Sequence, residues 1–183
     1  VSLDIPLSDF TNLTTRANLA QYVLVGQPTG TTTVFVDNFY FYDDGSGGGG
    51  NGGGGTEPTN AAPTPTQNES DVISLFSDAY TDISVDTWRT DWSVGTLEDV
   101  TIAGSAVKKY SALDFVGIST ESSTIDASSM THVHLDIWSA DFTFFGIKLV
   151  DFGANGVYDG GGDDVEHQID IVTPTQGEWV SLD

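Results

Sequence analysis

Apolar residues recur at every second position through most of this chain. In "HVHLDIW", Val133, Leu135 and Ile137 fall on one side and His132, His134, Asp136 and Trp138 on the other. "VEHQIDIV" sets Val165, His167, Ile169 and Ile171 against Glu166, Gln168 and Asp170. "TVFVDNFYFY" sets Phe35, Asp37, Phe39 and Phe41 against Val34, Val36, Asn38, Tyr40 and Tyr42. A period of two is that of a strand with one face in a core. Further strands are expected in "DVISLF", "DVTIAG", "AVKKYSA", "LDFVGIS", "FFGIKLVDF", "EWVSLDIPL" and "AQYVLVG". Short strands about ten residues apart, with Gly, Asp, Asn and Ser between them, predict an all-β antiparallel sandwich or barrel. The one helical candidate is a turn or two in "LTTRANLAQ".

The pattern breaks once, over residues 44–70. The first half of this stretch is a glycine tract and the second, "TEPTNAAPTPTQNES", is rich in Pro and Thr. Gly-rich chain is flexible and Pro-rich chain is stiffer, so a linker is expected here. Val180-Ser181-Leu182-Asp183 repeats Val1-Ser2-Leu3-Asp4. Joined through that tetrapeptide, the two ends read "GEWVSLDIPLSDF", an unbroken strand. The expectation is that residues 1–43 are the C-terminal strands of one sandwich repeat, 44–70 a linker, and 71–183 the N-terminal and central strands of the next. The period is 179 residues, the spacing of Val1 and Val180. A window on a tandem array, a circular permutant and a subunit whose halves complement different neighbours all fit; an array or polymer fits best.

Charge narrows the partners. The chain carries 27 Asp+Glu against 5 Lys+Arg, a formal net charge of −22. Such a field repels phosphate backbones and anionic lipid, so neither nucleic acid nor a membrane surface is an expected partner. Divalent cations and neutral polar ligands remain, and solubility in salty surroundings is the plain alternative. There is no cysteine, hence no disulfide or thiolate metal site. No apolar run is long enough for a membrane helix, and no signal peptide is visible.

The densest polar loop, "VDFGANGVYDGGGDDVEH", offers Asp151, Asn155, Asp159, Asp163 and Asp164. Oxygen-rich loops with glycine bends suit calcium, which takes 6–8 oxygens; the alternative is a solvated loop of Asp- and Gly-built turns. Trp88, Trp92 and Tyr158 lie in or near loops, where aromatic faces can stack on sugar rings, although sandwich cores need aromatics too. His132 and His134 at i, i+2 read as a polar outer face. Asn12 and Asn68 open N-x-S/T sequons, and the Thr-rich linker is a place for O-linked sugar. The common catalytic signatures are absent, so a non-catalytic domain is expected.

The reassembled order, "LFSDAYTDISVDTWRTDW", "IDASSMTHVHLDIWSAD", "IKLVDFGANGVYDGGGDDVEHQI", "GEWVSLDIPLSDFTNLTTRANLAQYVLVG", "VFVDNFYFY", resembles the carbohydrate-binding-module-like domains of secreted Bacteroidota proteins. Those domains are often appended to family-16 glycanases. The resemblance implies a galactose-binding-like jelly roll, an extracellular or cell-surface location, and polysaccharide recognition through aromatics. It also implies a structural calcium near the joined first and last strands, here at Asp78 and Asp37. The E-x-D-x-x-E pattern of the glycanases themselves is missing. Two functions follow as expectations. One is a structural repeat of a surface fibre or long adhesin, with copies of itself as partners. The other is a β-glucan-type carbohydrate-binding module.

Overall fold

The computed structural model describes residues 2–43, 55–160 and 162–180. The glycine tract, Val1 and Ser181–Asp183 therefore lie outside the described residues. Ten strands follow one another: β1 (Ser2–Pro6), β2 (Leu19–Gln27), β3 (Thr32–Tyr42), β4 (Val72–Phe76), β5 (Val94–Ile102), β6 (Ser105–Ser119), β7 (His132–Trp138), β8 (Phe144–Asp151), β9 (Val165–Val172) and β10 (Trp179–Val180). All their pairings are antiparallel. They form a curled sheet in the order β1-β7-β3-β6-β2-β8-β9, with β10 on β7, β4 on β3 and β5 on β6. The fold is all-β, of the sandwich or jelly-roll type. Its layers meet through the two longest strands. The first half of β3 pairs with β6, and its second half with β4; β6 in turn pairs with β2 beyond Leu113.

The core is what alternation predicts for β7, β8 and β2. Val133, Leu135 and Ile137 face Phe145, Ile147 and Leu149, with Tyr22 and Leu24 beside them, all fully buried. Each such side chain contributes roughly 1.5–3 kcal/mol of burial. β3 departs from simple alternation. Val34 and Val36 share the core with Phe39 and Phe41, so the inward phase switches from even to odd numbers. The cause is a bulge at Asn38, whose φ of 48° is left-handed and at which the β3–β7 register slips. One extra residue in a strand reverses the facing of everything after it. "AVKKYSA" and "LDFVGIS", expected as two strands, are one strand bent at Ala112, φ 50°. "LTTRANLAQ" forms no helix; it is irregular up to Asn18 and then enters β2. A 3-10 turn sits instead at Leu7–Asp9.

The outward face of β7 is not polar and wet. His134 is 4% exposed and stacks on Tyr40 with ring centroids 4.4 Å apart; His132 stacks on Tyr42 at 5.0 Å. Trp138 joins Phe35 and Trp179 in a second apolar cluster on this outer side. The Pro/Thr-rich half of the linker closes over it as a strap. The indole N–H of Trp179 donates to the Asn60 carbonyl (2.9 Å), Asn38 Nδ2 donates to the Pro63 carbonyl (3.0 Å), and Lys109 pairs with Glu57 (2.6 Å). Ala62 packs on the cluster itself. The strap returns to its point of departure: the Asp43 amide donates to the Asp71 carbonyl, and Tyr42 pairs with Val72.

The two stretches flanking the linker thus share one sheet, in which β2 and β3 pair with β4, β6 and β8 and in which β7 also joins the two. On one edge β7 pairs with β3. On the other it pairs with both β10 and β1, which follow each other in a single lane. Val180 stands opposite Ile137 and Ser2 opposite Asp136, with no β7 residue skipped between them. Residue 180 therefore occupies the position next in line before residue 2.

The bulge gives a direct test. Asn38→Ala should cost about 2–3 kcal/mol in urea unfolding, from roughly 1–2 of left-handed strain and the rest from the lost amide bonds. Asn38→Gly should lose only the second part. Equal losses in the two variants would contradict the assigned backbone strain.

Candidate functional site

Two places gather the chemistry. The first is a groove of about 510 Å³ on the outer face of β9, β8, β2 and β6. Its floor is Val23 and Val25 of β2, Val150 of β8 and Phe115 of β6. These residues point away from the core because their neighbours Tyr22, Leu24, Leu149 and Val116 point into it. Trp92, 46% exposed, lies nearly parallel to Phe115 with ring centroids 6.1 Å apart. Its seat is Gly117, where an added Cβ would collide with the indole ring. Tyr158, 58% exposed, comes from the β8–β9 loop and leans on Phe152 at 5.4 Å. Gln21, Gln168 and the Lys148–Glu166 ion pair (2.8 Å) supply polar lining.

Two of the three aromatics singled out in the sequence, Trp92 and Tyr158, thus line one groove. Trp88 is elsewhere. It is half-buried against the core, with Phe76 edge-on at 5.5 Å and the Lys108 ammonium 5.0 Å from its ring centre. Gln21, Gln168 and Gly117 were not visible as site residues. Only the pairing of β2 with both β6 and β8 brings them together.

The second place is a group of carboxylates beside the strap. Asp37 and Asp78, expected as neighbours, share a partner: Ser105 Oγ lies 2.9 Å from Asp37 Oδ2 and 3.1 Å from Asp78 Oδ2. Asp78 also accepts the Ala106 amide (2.9 Å), and Asp37 accepts the Asn38 amide (2.7 Å). A third member comes from β7. Asp136 pairs across the sheet with Asp37, is fully buried, and accepts Asn38 Nδ2 at 2.7 Å through Oδ2; its Oδ1 has no partner. Burial pushes the Asp37 carboxyl up to about 7, and the neighbouring Asp136 and Asp78 charges add to the rise against the pull of the Ser105 and Asn38 bonds. Among the described residues no group of three His, Cys, Asp or Glu side chains is set to hold a metal ion. Asp136 stood in the sequence as one more outward residue of "HVHLDIW". Nothing local marks it as the residue facing Asp37, because that pairing spans both sides of the linker.

Carboxylates of the acidic β8–β9 loop accept backbone amides, while Asp164 Oδ1 is buried without a partner. Asp151 accepts the amides of Asn18 (2.8 Å) and Gly153 (2.9 Å), and Asn155 Oδ1 that of Val157 (2.7 Å). Asp163 accepts the Ala154 amide (2.6 Å), while Asp164 accepts those of Asp159 (3.0 Å) and Gly160 (3.2 Å). These are the bonds by which Asp and Asn shape turns. Both sequon asparagines are exposed; Asn68 Nδ2 donates to Asp71 at 3.1 Å.

Scans against protein-family models, curated proteins and solved structures gave no match for this chain. No described helix is long and apolar enough to cross a membrane.

The raised Asp37 group fixes a pH dependence. An acid whose folded value is about 7 and whose ordinary value is 3.8 holds its proton more tightly when folded. Stability is therefore lost as pH climbs through that window and is level above it. In chelator, the urea midpoint of the native chain should fall relative to that of Asp37→Asn as pH rises from 3.8 to about 7. Parallel curves would contradict a buried, proton-retaining Asp37.

Proposed function

We propose that this chain is a non-catalytic structural repeat of an extracellular fibre or long adhesin, built from sandwich units joined head to tail. The single lane on β7 carries this reading. Two strands whose numbers differ by the repeat period fill consecutive positions there, so β10 of one unit and β1 of the following unit can run as one strand. Strand pairing makes a strong joint because many backbone hydrogen bonds form together. A head-to-tail contact that does not close on itself generates a filament. The high negative charge keeps neighbouring filaments apart and favours solubility. Negative-stain micrographs and sedimentation of the native material, with calcium present, test it. Filaments with one sandwich per axial repeat are expected; monomers alone at high concentration would contradict the reading.

The groove favours a second reading, recognition of a neutral polysaccharide of the β-glucan type. Trp92 and Tyr158 offer apolar faces for pyranose rings, and Gln21, Gln168 and Glu166 offer partners for hydroxyls. Titration calorimetry against a soluble β-glucan should release heat that Trp92→Ala abolishes and that Gly117→Ala reduces by displacing the indole. Absence of heat from the native chain would sink this reading and leave the first untouched.

A further inference from the structure

We propose that residues 2–43 are a strand donor, and that the segment from the strap to β10 is an acceptor that takes the donated strands from a second copy of this chain. This deepens the repeat reading, on which it rests. It names the segment that passes between copies, the slots that receive it and the place where the chain crosses over.

The order of the sheet carries it. Along β1, β7, β3, β6, β2 and β8, strands from before and after the linker alternate without a break. β1, β2 and β3 pair with strands from beyond the linker and not with one another. Among themselves, the strands beyond the linker pair as β5 with β6, β8 with β9 and β10 with β7. Only β3 joins β4, β6 and β7, and only β2 joins β6 to β8. The acceptor is therefore a set of strand pairs with open slots between them. Into those slots the donor brings Val34, Phe39 and Phe41 of β3 and Tyr22 and Leu24 of β2, all core residues. Each contributes roughly 1.5–3 kcal/mol of burial. Neither stretch has a closed sheet alone, and the segment shaped to complete the acceptor is residues 2–43 of this same sequence.

The linker shows where the crossover lies. Tyr42 pairs with Val72, and the Asp43 amide donates to the Asp71 carbonyl. Roughly 2–5 residues suffice to join antiparallel neighbours placed so close. Residues 44–70 are far more than that closure needs. Much of the surplus is fixed to the acceptor. Glu57 pairs with Lys109, the Asn60 carbonyl accepts the Trp179 N–H, the Gln67 carbonyl accepts the Tyr80 hydroxyl (3.1 Å), and Glu69 accepts Thr81 Oγ1 (2.7 Å). These partners all follow the linker in sequence. The crossover is therefore the glycine tract before residue 55, whose composition is that of a hinge. From the donor side, Asn38 at the bulge of β3 reaches the strap through its 3.0 Å bond to the Pro63 carbonyl. The acceptor's strap thus closes over the donated β3 as a clasp. Exchange of an identical element between copies is a low-cost route to assembly.

The chain has no cysteine, so a disulfide can report the exchange. Val23 of β2 stands opposite Lys148 of β8, and both are half-buried on the outer face. Val23→Cys and Lys148→Cys are made as two separate full-length chains, unfolded together, refolded at rising concentration and oxidised. A disulfide can then form only between copies. The mixed dimer should exceed the dimer from either chain alone at least tenfold and grow with concentration, because it competes with closure within one chain. The chain carrying both substitutions checks the geometry and should form the bond. The proposal is overturned if the mixture gives no excess of mixed dimer while the double variant closes within one molecule. It is equally overturned if the double variant forms no bond, because β2 then does not lie on β8 in this register. Filaments are scored separately by sedimentation. Mixed dimers without filaments leave the exchange standing and remove the fibre; filaments without mixed dimers do the reverse.

Discussion

The pairing of β7 ties both ends of the described chain into one sheet. Its core face, Val133, Leu135 and Ile137, packs the interior, and its two edges take β3 on one side and β10 followed by β1 on the other. All but β10 of those partners come from the stretch before the linker, whereas β7 itself comes after it. β7 is thus one of the strands on which the two stretches become one domain, beside β4, β6 and β8, which take β2 and β3. A strand edge left open is a template for other chains. Here it is filled by β10 and β1, so that, on the reading proposed above, the same hydrogen-bond ladder serves folding and assembly.

The second constraint is the burial of the outer face. A sheet face turned from the core is ordinarily polar and wet. On β7 and β3 it carries Trp138, Phe35, two stacked His–Tyr pairs and two carboxylates, and it needs a cover. The strap is that cover. Pro58 is buried, while Thr56, Thr59, Thr64 and Thr66 face solvent. Residues that composition marks as a spacer therefore form a third layer over Trp179, next to the strand junction. The groove with Trp92 and Tyr158 lies on the β9–β8–β2–β6 face, apart from β7.

Strand positions were legible in the sequence because alternation survives wherever a strand has one buried face. β7, β8 and β9 follow it. It misled at Asn38 and Ala112, where left-handed residues reverse or bend a strand, and neither is a glycine that would have signalled the turn. The candidate sites were legible only in part. Asp37 and Asp78 came together as the resemblance implied, and Trp92 and Tyr158 came together on exposure near loops. Asp136, Gln21, Gln168 and Gly117 owe their roles to partners more than 90 residues away or to cross-strand register, which no local pattern records. The Pro/Thr-rich strap read as linker because composition reports stiffness and not the surface that receives it.

The claim on which the rest turns is that β10 and β1 belong to one strand lying along β7 through successive units. A cryo-electron microscopy map of the native assembly tests it most directly. Unbroken backbone density against β7 from Trp179 through to Pro6, recurring once per sandwich along the axis, is the result predicted. A gap in that density with each unit closed on itself, or units stacked through any other face, would contradict it.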